Sequence, residues 1–159
     1  MPELTIVRTF DAPRERVWKA WSDPGLIVLW WGPKGYTAPF ARIDFRVGGR
    51  FLLDMRSPEG LDIWGTGTYQ VIEPPERLVC TDSFADAEGN VVPASRYGMT
   101  GPFPMELKIT LTLEDAAGKR TKMTLVHSGM PAGEQTSAAR QGWNESFDKL
   151  DAALTKGLV

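Results

Sequence analysis

His127 and Cys80 are the only histidine and the only cysteine in the chain, and they limit its chemistry. A zinc site draws three or four ligands from His, Cys and carboxylates, so one of each predicts no metal centre. Asp44, Asp54, Glu59 and Asp62 could supply an all-oxygen cluster, but in a run of strands and turns they read more simply as solvated charges. The chain has no Gly-x-Ser-x-Gly elbow. Gly65-Thr66-Gly67 lacks the spacing and the following helix of a phosphate-binding loop, so no cofactor is expected. His127 could pair with Ser128 or Cys80, but adjacent strand residues point to opposite faces. It is then either a satisfied strand histidine or a pocket-facing hydrogen-bond partner or general base. One cysteine allows no intrachain disulfide.

A second polar pair is Asp44 and Arg46, just before Gly48-Gly49. If the glycines form a two-residue hairpin turn, Arg46 pairs with Phe51 and Asp44 with Leu53. The two charges then share an inward face with Phe51, Leu53 and Met55. A bulge at the glycines shifts the register by one, sending Ile43 and Phe45 inward instead. Inward charges cost several kcal/mol unless paired and would mark a polar anchor for a ligand. Outward, they are an exposed pair of little energetic value. The sequence leaves both registers open.

The elements that must position these residues can be read from periodicity. Residues 4–10 alternate as a strand. Asp11-Ala12-Pro13 and Ser22-Asp23-Pro24 read as two helix starts, predicting a helix over 13–22 and a short one ending near 31. Strands are predicted over 40–47, 50–56, 63–72 and 77–84, with Pro74-Pro75 as a break. The stretch 85–104 is a long loop rich in Gly and Pro, a kind that is often functional. A hairpin over 105–113 and 121–128 follows. Ala139, Trp143, Phe147, Leu150 and Leu154, at spacings of four, four, three and four, predict a helix over 136–154 with one apolar face. This order gives an α+β fold, a bent antiparallel sheet whose concave face is covered by the one long amphipathic helix. The 159 residues suit one domain, over 1–159.

The net charge of -2 argues against a partner bound by neutralising phosphates, so no nucleic acid is expected. The start of the chain lacks a signal-peptide pattern, and the longest apolar run, Leu26 to Trp31, is too short to span a bilayer. A cytoplasmic protein is the simplest expectation. Leu26-Ile27-Val28-Leu29 is apolar on every side of a short helix, so it is either a homodimer contact or is covered by the long loop.

Several of these segments together carry a resemblance. Ala12-Pro13-Arg14-Glu15-Arg16-Val17-Trp18 and Trp30-Trp31-Gly32-Pro33 resemble the opening of the SRPBCC (START-like, helix-grip) superfamily. Asp44-Phe45-Arg46-Val47-Gly48-Gly49-Arg50-Phe51, Gly67-x-Tyr69, Pro74-Pro75-Glu76-Arg77-Leu78-Val79 and Gly142-Trp143 are similar to one branch. That branch is named after the C-terminal domain of the activator of heat shock protein 90 ATPase homologue. The resemblance implies a helix-grip fold with a pocket between sheet and long helix. It does not fix an activity, since the superfamily holds lipid carriers, hormone receptors and polyketide cyclases. The chain is expected to lack the separate N-terminal domain through which the namesake engages its chaperone.

Trp31, Phe51, Leu53, Met55, Tyr69, Phe103, Met105, Leu107, Trp143 and Phe147 are the expected pocket walls, with His127, Arg46 or Asp44 reading a polar end. A dry void costs roughly 24 cal/mol per Å3, so an empty ~300 Å3 pocket would cost about 7 kcal/mol. Either the walls collapse into it or something occupies it, and Met99, Met105 and Met130 are suited to repacking. The expected function is binding of a small hydrophobic or aromatic molecule. The alternatives are a cyclase- or hydrolase-type enzyme using the same pocket, and a chaperone-associated interaction protein.

Overall fold

The computed structural model describes residues 3–159. Its elements run β1 (Glu3–Phe10), α1 (Arg14–Ser22), α2 (Pro24–Ile27), β2 (Thr37–Ile43), β3 (Arg50–Arg56), β4 (Asp62–Glu73), β5 (Arg77–Ala85), β6 (Leu107–Ala116), β7 (Arg120–Ser128) and α3 (Glu134–Thr155). The seven strands form one antiparallel sheet in the order β1-β7-β6-β5-β4-β3-β2. This is the helix-grip architecture expected from the element order.

Alternation puts one face of every strand under the helices. Leu4, Ile6 and Phe10 of β1 face inward with Leu107, Ile109, Leu111 and Leu113 of β6 and Met123 and Leu125 of β7. On the far side Phe51, Leu53 and Tyr69 continue the same face. Gly67 lies opposite Phe51, and a Cβ there would fall 2.5 Å from the Phe51 ring. The bare glycine lets that ring lie flat on β4.

Polar ties anchor α3 over this face. Arg140 donates to the Thr5 carbonyl at 2.9 Å, and Arg8 pairs with Asp148 at 3.0 Å. Arg16 of α1 donates to the carbonyls of Leu154 and Val159, both at 2.7 Å. Lys149 donates to the carbonyls of Pro33 and Tyr36, and burial holds its pKa below the ordinary lysine range. Phe147, Leu150 and Leu154 of the expected stripe are buried, while Ala139 and Trp143 are partly buried against the same cluster.

Several boundaries differ from the sequence expectation, among them β6, expected over 105–113 and found at Leu107–Ala116. Pro13 sits in the capping position and the helix begins at Arg14. α2 is only one turn long, started by Asp23, whose carboxylate accepts from Gly25 N at 2.8 Å. β2 begins and ends earlier than 40–47, because an edge strand tolerates Pro39 and the chain leaves the ladder after Ile43. The 85–104 stretch is also not bare loop. It holds a 3-10 turn at Ala94–Tyr97, and the Tyr97 hydroxyl ties it to the Ala85 carbonyl and Trp64 N. Gln135 of α3 holds its far end through Thr100 O. Among the described residues no helix is long and apolar enough to cross a membrane.

Candidate functional site

Tyr69 of β4 lies opposite Cys80 of β5, Cys80 opposite Ile109 of β6, and Ile109 opposite His127 of β7. This row crosses the inner face. Two residues beyond Cys80, in phase with it, stands Asp82. Its Oδ2 is 2.8 Å from Nε2 of His127. Above, Trp143 of α3 donates its indole N–H to Nδ1 of His127 at 3.1 Å. Indole nitrogen is a donor only, so Nδ1 is an acceptor, and the hydrogen-bond network assigns the ring proton to Nε2, facing the carboxylate. His127 is buried, and the Asp82 side chain is a quarter exposed.

Both imidazole nitrogens are therefore engaged, and neither is free to accept a proton from a substrate. The thiol is no better placed to react. Burial, and then the nearby Asp82 charge, hold Cys80 well above the ordinary thiol range, so the thiolate nucleophile is suppressed. Burial, and then Cys80, likewise push the Tyr69 phenol up. What the row offers is an un-ionised hydroxyl and thiol beside one carboxylate, whose Oδ1 has no partner among the described residues.

Aromatic rings fill the adjoining volume. Trp143 stacks on Phe147 at 5.4 Å and meets Trp31 edge-on at 5.4 Å. Trp21 packs against Trp30, Trp31, Trp143 and Phe147, and its buried indole N–H has no partner among the described residues. From the sheet side, Phe45 meets Tyr69 at 5.1 Å and Trp18 at 5.9 Å. Substituting Trp143→Phe keeps a ring here but orphans Nδ1 of His127. The expected loss is about 1–2 kcal/mol, read as a lower urea midpoint.

The structure distributes the expected site residues unevenly. Phe51, Leu53, Tyr69, His127 and Phe147 are buried on the inner face, with Trp31 and Trp143 partly buried beside them. Met55 sits under Gly32, and Phe103 lies against Phe84 in the long loop. Met105 is half exposed and outside the core. Asp44 and Arg46 are corrected. The chain takes neither the two-residue turn nor the one-residue bulge: Ile43 stands opposite Phe51, Asp44 N is bonded to Arg50 O, and residues 44–49 form a longer connection between the strands. Phe45 turns inward, and the two charges lie exposed, bonded to each other at 2.9 Å. Turned inward, the two charges would have had to be desolvated, a cost that the longer connection avoids.

The sequence reading missed Asp82, Trp18 and Trp21 as parts of the site, and left Phe45 as one of two alternatives. A signal for Asp82 was present, because it continues the inward phase of Leu78 and Cys80. Among the described residues no three metal-ligating side chains converge.

Several solved structures are similar to this chain over nearly its whole length. A protein from Arthrobacter aurescens, solved by NMR, is 30% identical with a TM-score of 0.76, covering 97% of this chain and 86% of that one. A Chromobacterium violaceum protein is 26% identical with a TM-score of 0.75, covering 94% of each chain. An AHSA1 protein from Silicibacter pomeroyi, 23% identical, shares the fold with a TM-score of 0.76, covering 98% and 99%. No curated protein matches the chain. The family described as activator of Hsp90 ATPase homolog 1-like protein matches residues 11–155, and this chain belongs to that family.

Proposed function

We propose that the protein binds a small aromatic molecule at the inner face, with a hydrogen-bond donor on the ligand meeting Asp82. The observation that carries this reading is the free Oδ1 of Asp82 on the wall shared by Tyr69, His127 and Trp143. A fixed acceptor beside aromatic faces orients a ligand that is apolar at one end and donates at the other. His127 holds the carboxylate in place and Trp143 holds His127. Binding is favoured over turnover because the histidine has no spare nitrogen and the thiol is held protonated. Homodimerisation and chaperone engagement find no comparable support in these contacts.

Asp82 also sets the sign of the ligand. No lysine or arginine lies within ion-pairing distance of it among the described residues. A carboxylate ligand would meet like charge, whereas an alcohol or an ammonium group would be accepted. The test is thermal shift and NMR titration with 2-naphthylmethylamine, 2-naphthalenemethanol and 2-naphthoate. The amine and alcohol are expected to bind and the acid to bind at least about tenfold more weakly. In Asp82→Asn the preference should vanish with the fold intact. If none of the three binds, the inner face is closed core and the reading fails.

A further inference from the structure

The opposite, outer face of the sheet carries a feature that the inner face does not explain. Arg42 of β2 and Arg50 of β3 both project there, and both reach the turn at Gly89. Arg50 Nη2 donates to Gly89 O at 2.9 Å and to Thr66 Oγ1 at 3.0 Å. Arg42 Nη2 comes within 4.0 Å of where a Cβ on Gly89 would stand. Neither guanidinium lies within 4.0 Å of a carboxylate among the described residues, whereas Arg46 beside them is neutralised by Asp44 at 2.9 Å. Glu88 lines the same hollow but pairs with neither.

Two like charges held beside one turn without a counter-ion repel each other, and a bound anion would relieve them. The surroundings are shaped to hold one. A hollow of about 360 Å3 is lined by Arg42, Arg46, Arg50 and Gly89. It adjoins a second of about 520 Å3 with Thr66, Thr68, Thr81, Ser83 and Asn90 along it and Glu106 at its edge. Arg50, Thr66 and Gly89 belong to both. The floor is thus a row of threonine and serine side chains leading away from the arginines. Thr66 and Thr81 are already bonded to the backbone, which fixes the row in place. Ser83 is buried at the bottom.

We propose that this outer groove binds a phosphomonoester of a small hydroxylated molecule, with the phosphate between Arg42 and Arg50 and the hydroxylated part along the threonine and serine row. Guanidinium groups match phosphate in both geometry and charge. Neutral hydroxyls suit a polyol better than they suit an apolar ring.

The test is an NMR titration of the full chain at low salt with inorganic phosphate and with glucose 6-phosphate. Saturable shifts are expected at Gly48, Gly49, Thr66, Gly89 and Asn90, with the sugar phosphate binding more tightly. Arg42 makes no side-chain hydrogen bond or ion pair among the described residues, so Arg42→Gln should leave the fold intact and weaken both ligands about tenfold. Replacing the ion pair as a whole, Asp44→Asn together with Arg46→Gln, removes no net charge and should change little. The proposal is overturned by the absence of saturable shifts, by equal shifts with sodium chloride, or by an Arg42→Gln protein that binds unchanged. Shifts at phosphate alone, with glucose 6-phosphate no tighter, would remove the hydroxylated part of the ligand from the proposal.

Discussion

Replacing Phe147 by alanine is expected to cost about 3–5 kcal/mol of unfolding free energy, the usual range for deleting a fully buried aromatic ring. The ring is completely enclosed, stacked on Trp143 and touched by Phe10, Trp21 and Trp30. Trp30 and Trp143 cannot rotate far into the gap, because Trp30 Nε1 is bonded to Ala20 O at 3.0 Å and Trp143 Nε1 to His127. The gap should therefore persist as an apolar cavity, and such cavities accept benzene-sized guests. Urea unfolding measures the loss. A second measurement, melting temperature in the presence of benzene or indole, asks whether the vacated volume takes an aromatic molecule, since a guest bound only by the native state raises stability by mass action. Recovery with indole, and none in the parent protein, would show that the aromatic cluster closes over a volume suited to such ligands. A loss without recovery would mean that the neighbouring rings collapse inward.

The helix carrying Phe147 was legible because its apolar residues recur at one period over about four turns and nothing competes with that signal. The strands were legible for the same reason at period two. The first hairpin was not, because alternation there supports two registers one residue apart. The chain adopts neither, pairing Ile43 with Phe51, and the cause is tertiary: Phe45 fits between Trp18 and Tyr69, and Gly48 N bonds to Tyr69 O on a strand that lies about twenty residues away in sequence. Asp44 and Arg46 went outward as a consequence. His127 was picked out as the lone histidine, but its partners come from β5 and α3, and no local pattern joins those three segments. The aromatic residues of the site were recognisable by type. Their division into enclosed rings such as Phe147 and partly open ones such as Trp31 depends on how far the helices cover the sheet.

Asp54→Asn is expected to stabilise the protein at neutral pH, which is unusual for a buried site. Asp54 faces outward from β3 between Phe40 and Trp64, whose rings approach to 5.7 Å across it. Only 2% of the residue is exposed, and its Oδ1 has no hydrogen-bond partner among the described residues. Arg56 stands 4.0 Å from Oδ2 but is committed to Asp62 at 2.8 Å. Burial first, and then the hydrogen bond and charge of Asp62, push the Asp54 carboxyl up to about 6. The folded protein thus holds this proton more tightly than the unfolded chain, where the value is 3.8. The contribution to stability is full below pH 3.8 and falls as pH rises toward 6, by up to about 3 kcal/mol, since each unit is worth about 1.4 kcal/mol. Asp62, shifted downward by Arg56, works in the opposite direction and offsets part of this. Asparagine has the same shape and no charge to desolvate, and its amide can donate to Asp62 where the carboxylate could not. The difference in unfolding free energy between variant and parent should be small at pH 4, grow through pH 5 to 6, and level off above pH 7. Urea titrations at those values measure it. A difference that stays constant with pH would mean that Asp54 titrates normally, and would place water or a bound cation at its orphaned oxygen.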